Sequence, residues 1–248
     1  MSSMSTSNRK TLEGQKALVT GATSGIGRAI ALRLARDGAE VVVHGRDAER
    51  GKSVVEAILA EGGRARFVAA DVGDAGAVTR LAEEAGDVDI LVNNAGFSWF
   101  GPTPDLDAER FDAMFASNVR SAYLLVAALA PKMAARGNGS IVNVSSMAAQ
   151  VGLAGGAAYS ATKASLAAMT RSWAAEFGPE VRVNAIAPGP VNTAGAAPDR
   201  TAQLGETTLL KRAAEPEEIA DAVAFLVSPE AAYFTGATIA HDGGRTAI

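Results

Sequence analysis

Cysteine is absent from the 248 residues of the chain. That removes a disulfide frame, thiolate catalysis and any cysteine-ligated zinc site. Histidine is scarce: His44 and His241 stand far apart, and each reads as a strand or loop residue rather than a metal ligand, so no metal site is expected. Aromatic residues are only 5% of the chain, which leaves no series of stacking platforms for bases. A basic surplus is missing too, since the net charge is −4, and nucleic-acid binders usually carry a basic footprint. No stretch reaches the roughly 18 continuous apolar residues of a membrane span. The longest run, Ala122 to Ala130, is expected to stop at Pro131 and Lys132. Residues Met1 to Lys10 are polar and Ser-rich and lack the apolar core of a secretory signal. The expectation is a cytoplasmic protein with neither a membrane nor a nucleic-acid partner.

Small apolar residues and glycine are plentiful. Hydrophobic residues make up 48%, charged residues 20%, and there are 26 glycines. This suits one globular domain over residues 12–248, behind a disordered lead-in over residues 1–11. Lys16 to Thr20 is a short apolar run, and Gly21-Ala-Thr-Ser-Gly-Ile-Gly27 follows at once. Arg28 to Asp37 then has helical periodicity, with Gly38 as its stop. In a strand–turn–helix context glycines let the backbone approach a pyrophosphate, and the helix N-terminus supplies N–H donors and a favourable dipole. The spacing is Gly-x-x-x-Gly-x-Gly rather than the commoner Gly-x-Gly-x-x-Gly. The loop residues Gly21, Thr23, Ser24, Gly25, Ile26 and Gly27 are the candidates for holding a dinucleotide.

A second apolar run, Glu40 to His44, ends at Gly45-Arg46-Asp47. The end of this strand faces the adenosine ribose, where a carboxylate selects a 2′-hydroxyl and an arginine accepts a 2′-phosphate. Gly45 offers no carboxylate and Arg46 offers a cationic fork, so NADP(H) is favoured over NAD(H). Asp47 reads as the N-cap of a helix over Ala48 to Glu61, although a shifted turn would present it to the ribose. Strand and helix patterns keep alternating. Strands over Ala65–Ala69 and Asp89–Asn93 lead into Asp71-Val72 and Asn94-Ala95-Gly96. The fold class is therefore α/β, a Rossmann-like, doubly wound parallel sheet of about seven strands with helices on both faces. Ligands of such sheets gather at the carboxyl ends of the strands, where all these loops lie.

One polar pair stands out in the second half. Tyr159 and Lys163 are four apart in an Ala-rich helical segment, Ala157 to Phe177, and share a face. An ammonium near a phenol is expected to lower the phenol pKa from about 10 towards the working range of an acid or base. The plain alternative is a surface pair. Ala194 to Lys211 is small, polar and without strong periodicity, and is expected to form an irregular substrate lid within about residues 190–212. Phe97, Trp99 and Phe100 stand ready either to wall the site or to pack the core.

The ordered set Thr20-Gly-Ala-Thr-Ser-Gly-Ile-Gly27, Asp71-Val72, Asn93-Asn-Ala-Gly96, Asn118, Ser146, Tyr159-x-x-x-Lys163, Pro188-Gly189 with Thr193, and Asp242-Gly-Gly244 resembles the short-chain dehydrogenase/reductase family. The resemblance runs from about Lys16 to the C-terminus and is closest in pattern to 3-oxoacyl-[acyl-carrier-protein] reductase-like members. It implies a catalytic set of Asn118, Ser146, Tyr159 and Lys163, with Ser146 preferred to Ser145 because it lies thirteen residues before Tyr159. Asp71, Val72, Asn94, Ala95, Gly96, Tyr159, Lys163, Pro188, Gly189, Val191 and Thr193 would complete the cofactor contacts. Substrate contacts are expected from Ser146, Tyr159, Trp99 and Gln150. The resemblance also implies a homotetramer, a dimer of dimers, and hydride transfer between NADP(H) and a 3-oxoacyl thioester or related ketone. A polyol, sugar or other secondary-alcohol dehydrogenase is the enzymatic alternative, and a non-catalytic nucleotide-sensing scaffold the alternative of another class.

Overall fold

Apolar residues on both faces of the short strands demand a sheet covered on both sides. The structure, a computed structural model, describes residues 11–195 and 197–248. The expected lead-in, apart from Thr11, lies outside the described residues. In chain order the elements are β1 (Lys16–Val19), α1 (Gly25–Arg36), β2 (Glu40–Gly45), α2 (Ala48–Ala60), β3 (Arg64–Ala69), α3 (Ala75–Ala85), β4 (Ile90–Asn93), α4 (Ala108–Phe115), α5 (Ser121–Ala135), β5 (Gly139–Val144), α6 (Ala157–Phe177), β6 (Val181–Pro188), α7 (Pro198–Glu206), α8 (Pro216–Val227) and β7 (Thr238–His241). The seven strands are parallel and run β3-β2-β1-β4-β5-β6-β7 across the sheet. This is the doubly wound, Rossmann-like sheet expected from the alternation.

The period-2 geometry of a strand sorts the core into two halves. Ala17, Val19, Val41, Val43, Ile90 and Val92 join α1, α2 and α8 on one face. Leu18, Val42 and Leu91 join α3, α5 and α6 on the other. Strand order reverses between β1 and β4, so the loops after these strands splay apart and open a crevice there. Every motif singled out in the first half of the chain ends at that crevice.

One local expectation fails, that of an irregular lid segment. Pro131 interrupts the apolar run as expected but lies inside its helix: α5 continues to Ala135. The ring removes one N–H and frees the carbonyl four residues back. Both Pro131 and Ala127 are exposed, so water satisfies the freed group. With α4 and an intervening π turn, α5 forms a continuous 28-residue helix, long and apolar enough by length and composition to cross a membrane. Its apolar face is already used: Leu125, Val126, Leu129, Ala130 and Met133 are buried against the sheet. The segment expected to be irregular, Ala194 to Lys211, contains α7, opened by Pro198 at its first turn. Its buried stripe is Thr201 and Gly205, residues too small and polar to register as a hydrophobic period.

Candidate active site

The glycine loop is shaped by close approach. A Cβ at Gly27 would lie 2.2 Å from the carbonyl oxygen of Gly21, so only glycine lets α1 start this near β1. Thr20, at the end of β1, donates to Val92 O and accepts from the N–H groups of Asn94 and Ala95, both at 3.0 Å. The Asn94 amide returns bonds to Thr20 O and Gly21 O. The loops after β1 and β4 are thereby laced into one floor.

His44 adds a brace that the sequence did not announce. It is buried at the end of β2, its Nδ1 accepts from the Gly21 N–H at 3.2 Å, and its Nε2 lies 3.1 Å from Ala70 O. Only the Nε2–H tautomer satisfies both contacts. Burial lowers the pKa of this histidine and keeps it neutral. It is a structural strand residue, as expected, but one that holds the glycine loop.

A single cleft of about 1020 Å³ runs along the carboxyl ends of the strands. At one end lie Arg46, Asp71 and Val72, and the glycine loop forms the middle. Ala95, Gly96, Pro188, Gly189, Val191 and Thr193 line it further on. Arg46 is exposed and makes no salt bridge or side-chain hydrogen bond among the described residues. Asp47 caps α2 by accepting from the Arg50 N–H at 3.0 Å and pairs with the Arg50 side chain at 2.7 Å. The carboxylate is thus engaged as the helix cap, the role expected of it.

Ser146, Tyr159 and Lys163 meet at the other end of the cleft. Ser146 follows β5 and begins a short 3₁₀ turn, with its hydroxyl accepting from the Ala148 N–H. Its neighbour Ser145 is buried and donates to the Lys163 carbonyl, which leaves Ser146 as the serine paired with Tyr159. Lys163 is buried, donates to Val144 O at 2.8 Å, and stands 5.8 Å from the Tyr159 ring centroid. Burial pulls its pKa from 10.5 to about 8. Tyr159 moves in the opposite direction from the sequence expectation. Desolvation raises its pKa, and the Ser146 hydrogen bond draws it only part of the way back. The i,i+4 spacing placed the ammonium near the ring, but the cost of a buried phenolate outweighs that proximity in the chain alone.

Asn118 stands behind the cleft rather than on its wall. It sits in the π turn Ala116–Arg120 that joins α4 to α5, a kind of irregularity common at functional sites. Its amide accepts from the Phe97 N–H and donates to Phe97 O and Thr162 Oγ1. Thr162 in turn donates to Tyr159 O at 2.7 Å. Trp99 lines the cleft with Phe97 and Phe100, so the aromatic trio forms a wall. Gln150 does not line it: it ends the 3₁₀ turn Met147–Ala149 and points to solvent, because the turn carries it past the rim. Sequence reasoning missed the roles of His44, Thr162 and Arg200. Each acts on a partner distant along the chain, and no local pattern marks it.

These residues fit a dinucleotide on their own geometry. The crowded Gly21/Gly27 cradle excludes side chains, α1 presents its N-terminus to the cleft, and Arg46 waits at the far end.

Comparison with known proteins agrees with this fold. A family profile described as enoyl-(acyl carrier protein) reductase matches residues 21–246. Cyclopentanol dehydrogenase of Comamonas testosteroni is 39% identical over 240 residues, covering 93% of this chain and 96% of that one. A solved structure of a short chain dehydrogenase/reductase family protein is 51% identical, with a TM-score of 0.89, and covers 96% of this chain and 100% of that one. The angucycline C-6 ketoreductase LanV, solved with bound NADP, is 36% identical with a TM-score of 0.90, covering 96% and 98%.

Proposed function

The chain belongs to the short-chain dehydrogenase/reductase family, and on that premise we propose that it moves hydride between a nicotinamide dinucleotide and a carbonyl or secondary alcohol. NADP(H) is the preferred cofactor, and a 3-oxoacyl thioester or related ketone is the substrate class. The observation that carries this reading is the convergence of Ser146, Tyr159 and Lys163 on the cleft whose opposite end is the glycine loop and Arg46. The nicotinamide supplies the hydride, and the protein supplies placement and protons.

Tyr159 donates its phenolic proton to the developing alkoxide, or removes it in the reverse direction. Ser146 hydrogen-bonds the same oxygen and orients it. The raised Tyr159 pKa keeps the hydroxyl protonated and ready to donate. Lys163 stands 5.8 Å from the ring centroid and holds the nicotinamide ribose. Asn118 organises the protein behind Lys163, through Phe97 and Thr162. For cofactor choice, a Cβ at position 45 would lie 2.4 Å from Thr23 Cγ2, so an acid there, the residue that selects NAD, would have to displace the Thr23 side chain. Arg46 then takes the 2′-phosphate. We also place the chain in a homotetramer; exposed Tyr123, Tyr233 and Phe234 supply apolar surface for its interfaces.

A second reading, a secondary-alcohol dehydrogenase, is favoured by the aromatic wall and by the cyclopentanol dehydrogenase relative. The test is NADPH consumption with a short 3-oxoacyl thioester beside simple ketones, sugars and diketones, and NADP-dependent oxidation of cyclic alcohols. Preferential thioester turnover supports the first reading. Turnover of only the cyclic alcohols and their ketones moves the assignment to the second. Cofactor binding with no turnover of any of them counts against both.

A further inference from the structure

Among the described residues, Arg200 is the only charged side chain on the substrate half of the cleft apart from Lys163. The remaining lining there is Phe97, Ser98, Trp99, Phe100, Leu153 and other small or apolar residues, and the acids of the cleft, Asp47 and Asp71, belong to the opposite end. Arg200 belongs to the first turn of α7, the lid helix. Its guanidinium carbon sits over the Phe100 ring, 3.9 Å from the centroid. Phe100 packs against Tyr159, with ring centroids 5.5 Å apart. The guanidinium is therefore no farther from the Tyr159 ring than these two steps laid end to end.

A guanidinium over a ring uses its flat face and keeps its N–H edge for an oxygen pair. That edge has no hydrogen bond or ion pair among the described residues, whereas Arg33, Arg36, Arg50 and Arg212 all hold carboxylates. Stacking on Phe100 limits the conformations open to the side chain before any ligand arrives, which lowers the cost of engaging one. The geometry points to Arg200 as a specificity residue that receives a carboxylate on the substrate, a few bonds from the carbon that exchanges hydride. This rests on the reading of the cleft as a carbonyl-reductase site and narrows it to compact oxo acids or hydroxy acids.

The experiment separates the two levels. The purified protein with bound NADPH is titrated with a short series of 2-, 3- and 4-oxo acids and their methyl esters. Binding is followed by cofactor fluorescence and turnover by NADPH consumption. Wild type should bind one chain length of acid about 10- to 100-fold more tightly than its ester, the span of one charge-assisted hydrogen-bonded pair. Arg200→Gln should bring the acid-to-ester ratio to about 1, and Arg200→Lys should restore part of it. Equal binding of acid and ester by wild type, or a ratio unmoved in Arg200→Gln, overturns the assignment and leaves Arg200 as a lid contact only. If the acids bind with the expected ratio but none is reduced, the carboxylate site stands and the reduction of oxo acids at this site is refuted.

Discussion

Replacing Lys163 with methionine tests the electrostatics of the site without any substrate. Burial takes the Lys163 pKa from 10.5 to about 8. A shift of that size corresponds to about 3 kcal/mol at neutral pH, where the folded protein must bury a charge that the unfolded chain leaves in water. Between about pH 8 and 10.5 the unfolded state holds more protons than the folded one, so this contribution to stability rises with pH. Below about pH 8 both states are protonated and the full penalty is present. Integration from about pH 7 to about pH 9.5 gives a gain of about 2 kcal/mol in wild type that Lys163→Met cannot show. The variant also leaves Val144 O without the ammonium that donates to it at 2.8 Å, at a cost of about 1–3 kcal/mol. That cost and the removed penalty nearly offset at neutral pH, so a single measurement there decides little. The carbonyl does not titrate, however, and the difference between the two pH values is free of it. The assay is denaturant unfolding of the cofactor-free protein at both pH values and one protein concentration. The wild-type stability should climb on the variant by about 2 kcal/mol; parallel pH profiles would refute a desolvated Lys163.

Three further outcomes are expected. Tyr159→Phe should keep NADPH affinity and lose about 10²- to 10⁴-fold in turnover, the usual share of a positioned acid; retained turnover in a steady-state assay removes Tyr159 from the mechanism. Arg46→Ala should weaken NADPH about tenfold while NADH changes far less, as measured by fluorescence titration, and equal losses would sink the 2′-phosphate assignment. His44 has a lowered pKa in the fold, so the unfolded chain takes up its proton first as pH falls below about 6.5. The stability from neutral His44 is complete above that pH and is lost progressively as pH drops towards the folded-state pKa. His44→Gln should flatten this acid limb of the stability curve, and an unaltered limb in acid unfolding would contradict the buried Nδ1 contact with Gly21.

Local chemistry carried far in this chain. The glycine loop, the apolar runs and the helix cap at Asp47 act through near neighbours, so their spacing sufficed to place β1, α1, β2 and α2 and the crowded glycine turn between β1 and α1. Tyr159 and Lys163 lie on one helical face for the same reason. The second half was legible through motif resemblance more than through periodicity. α7 buries only small and polar residues, so it carries no hydrophobic period. The remainder depended on contacts between residues remote in sequence. His44 meets Gly21 across 23 positions, Asn118 meets Thr162 across 44, and Arg200 of α7 covers Phe100. Above all, helical spacing alone puts an ammonium near a phenol, whereas the sign of the phenol's pKa shift follows from the packed fold. Proximity along a helix is a property of spacing, but desolvation sums over every element packed around the pair, and here it is the larger of the two.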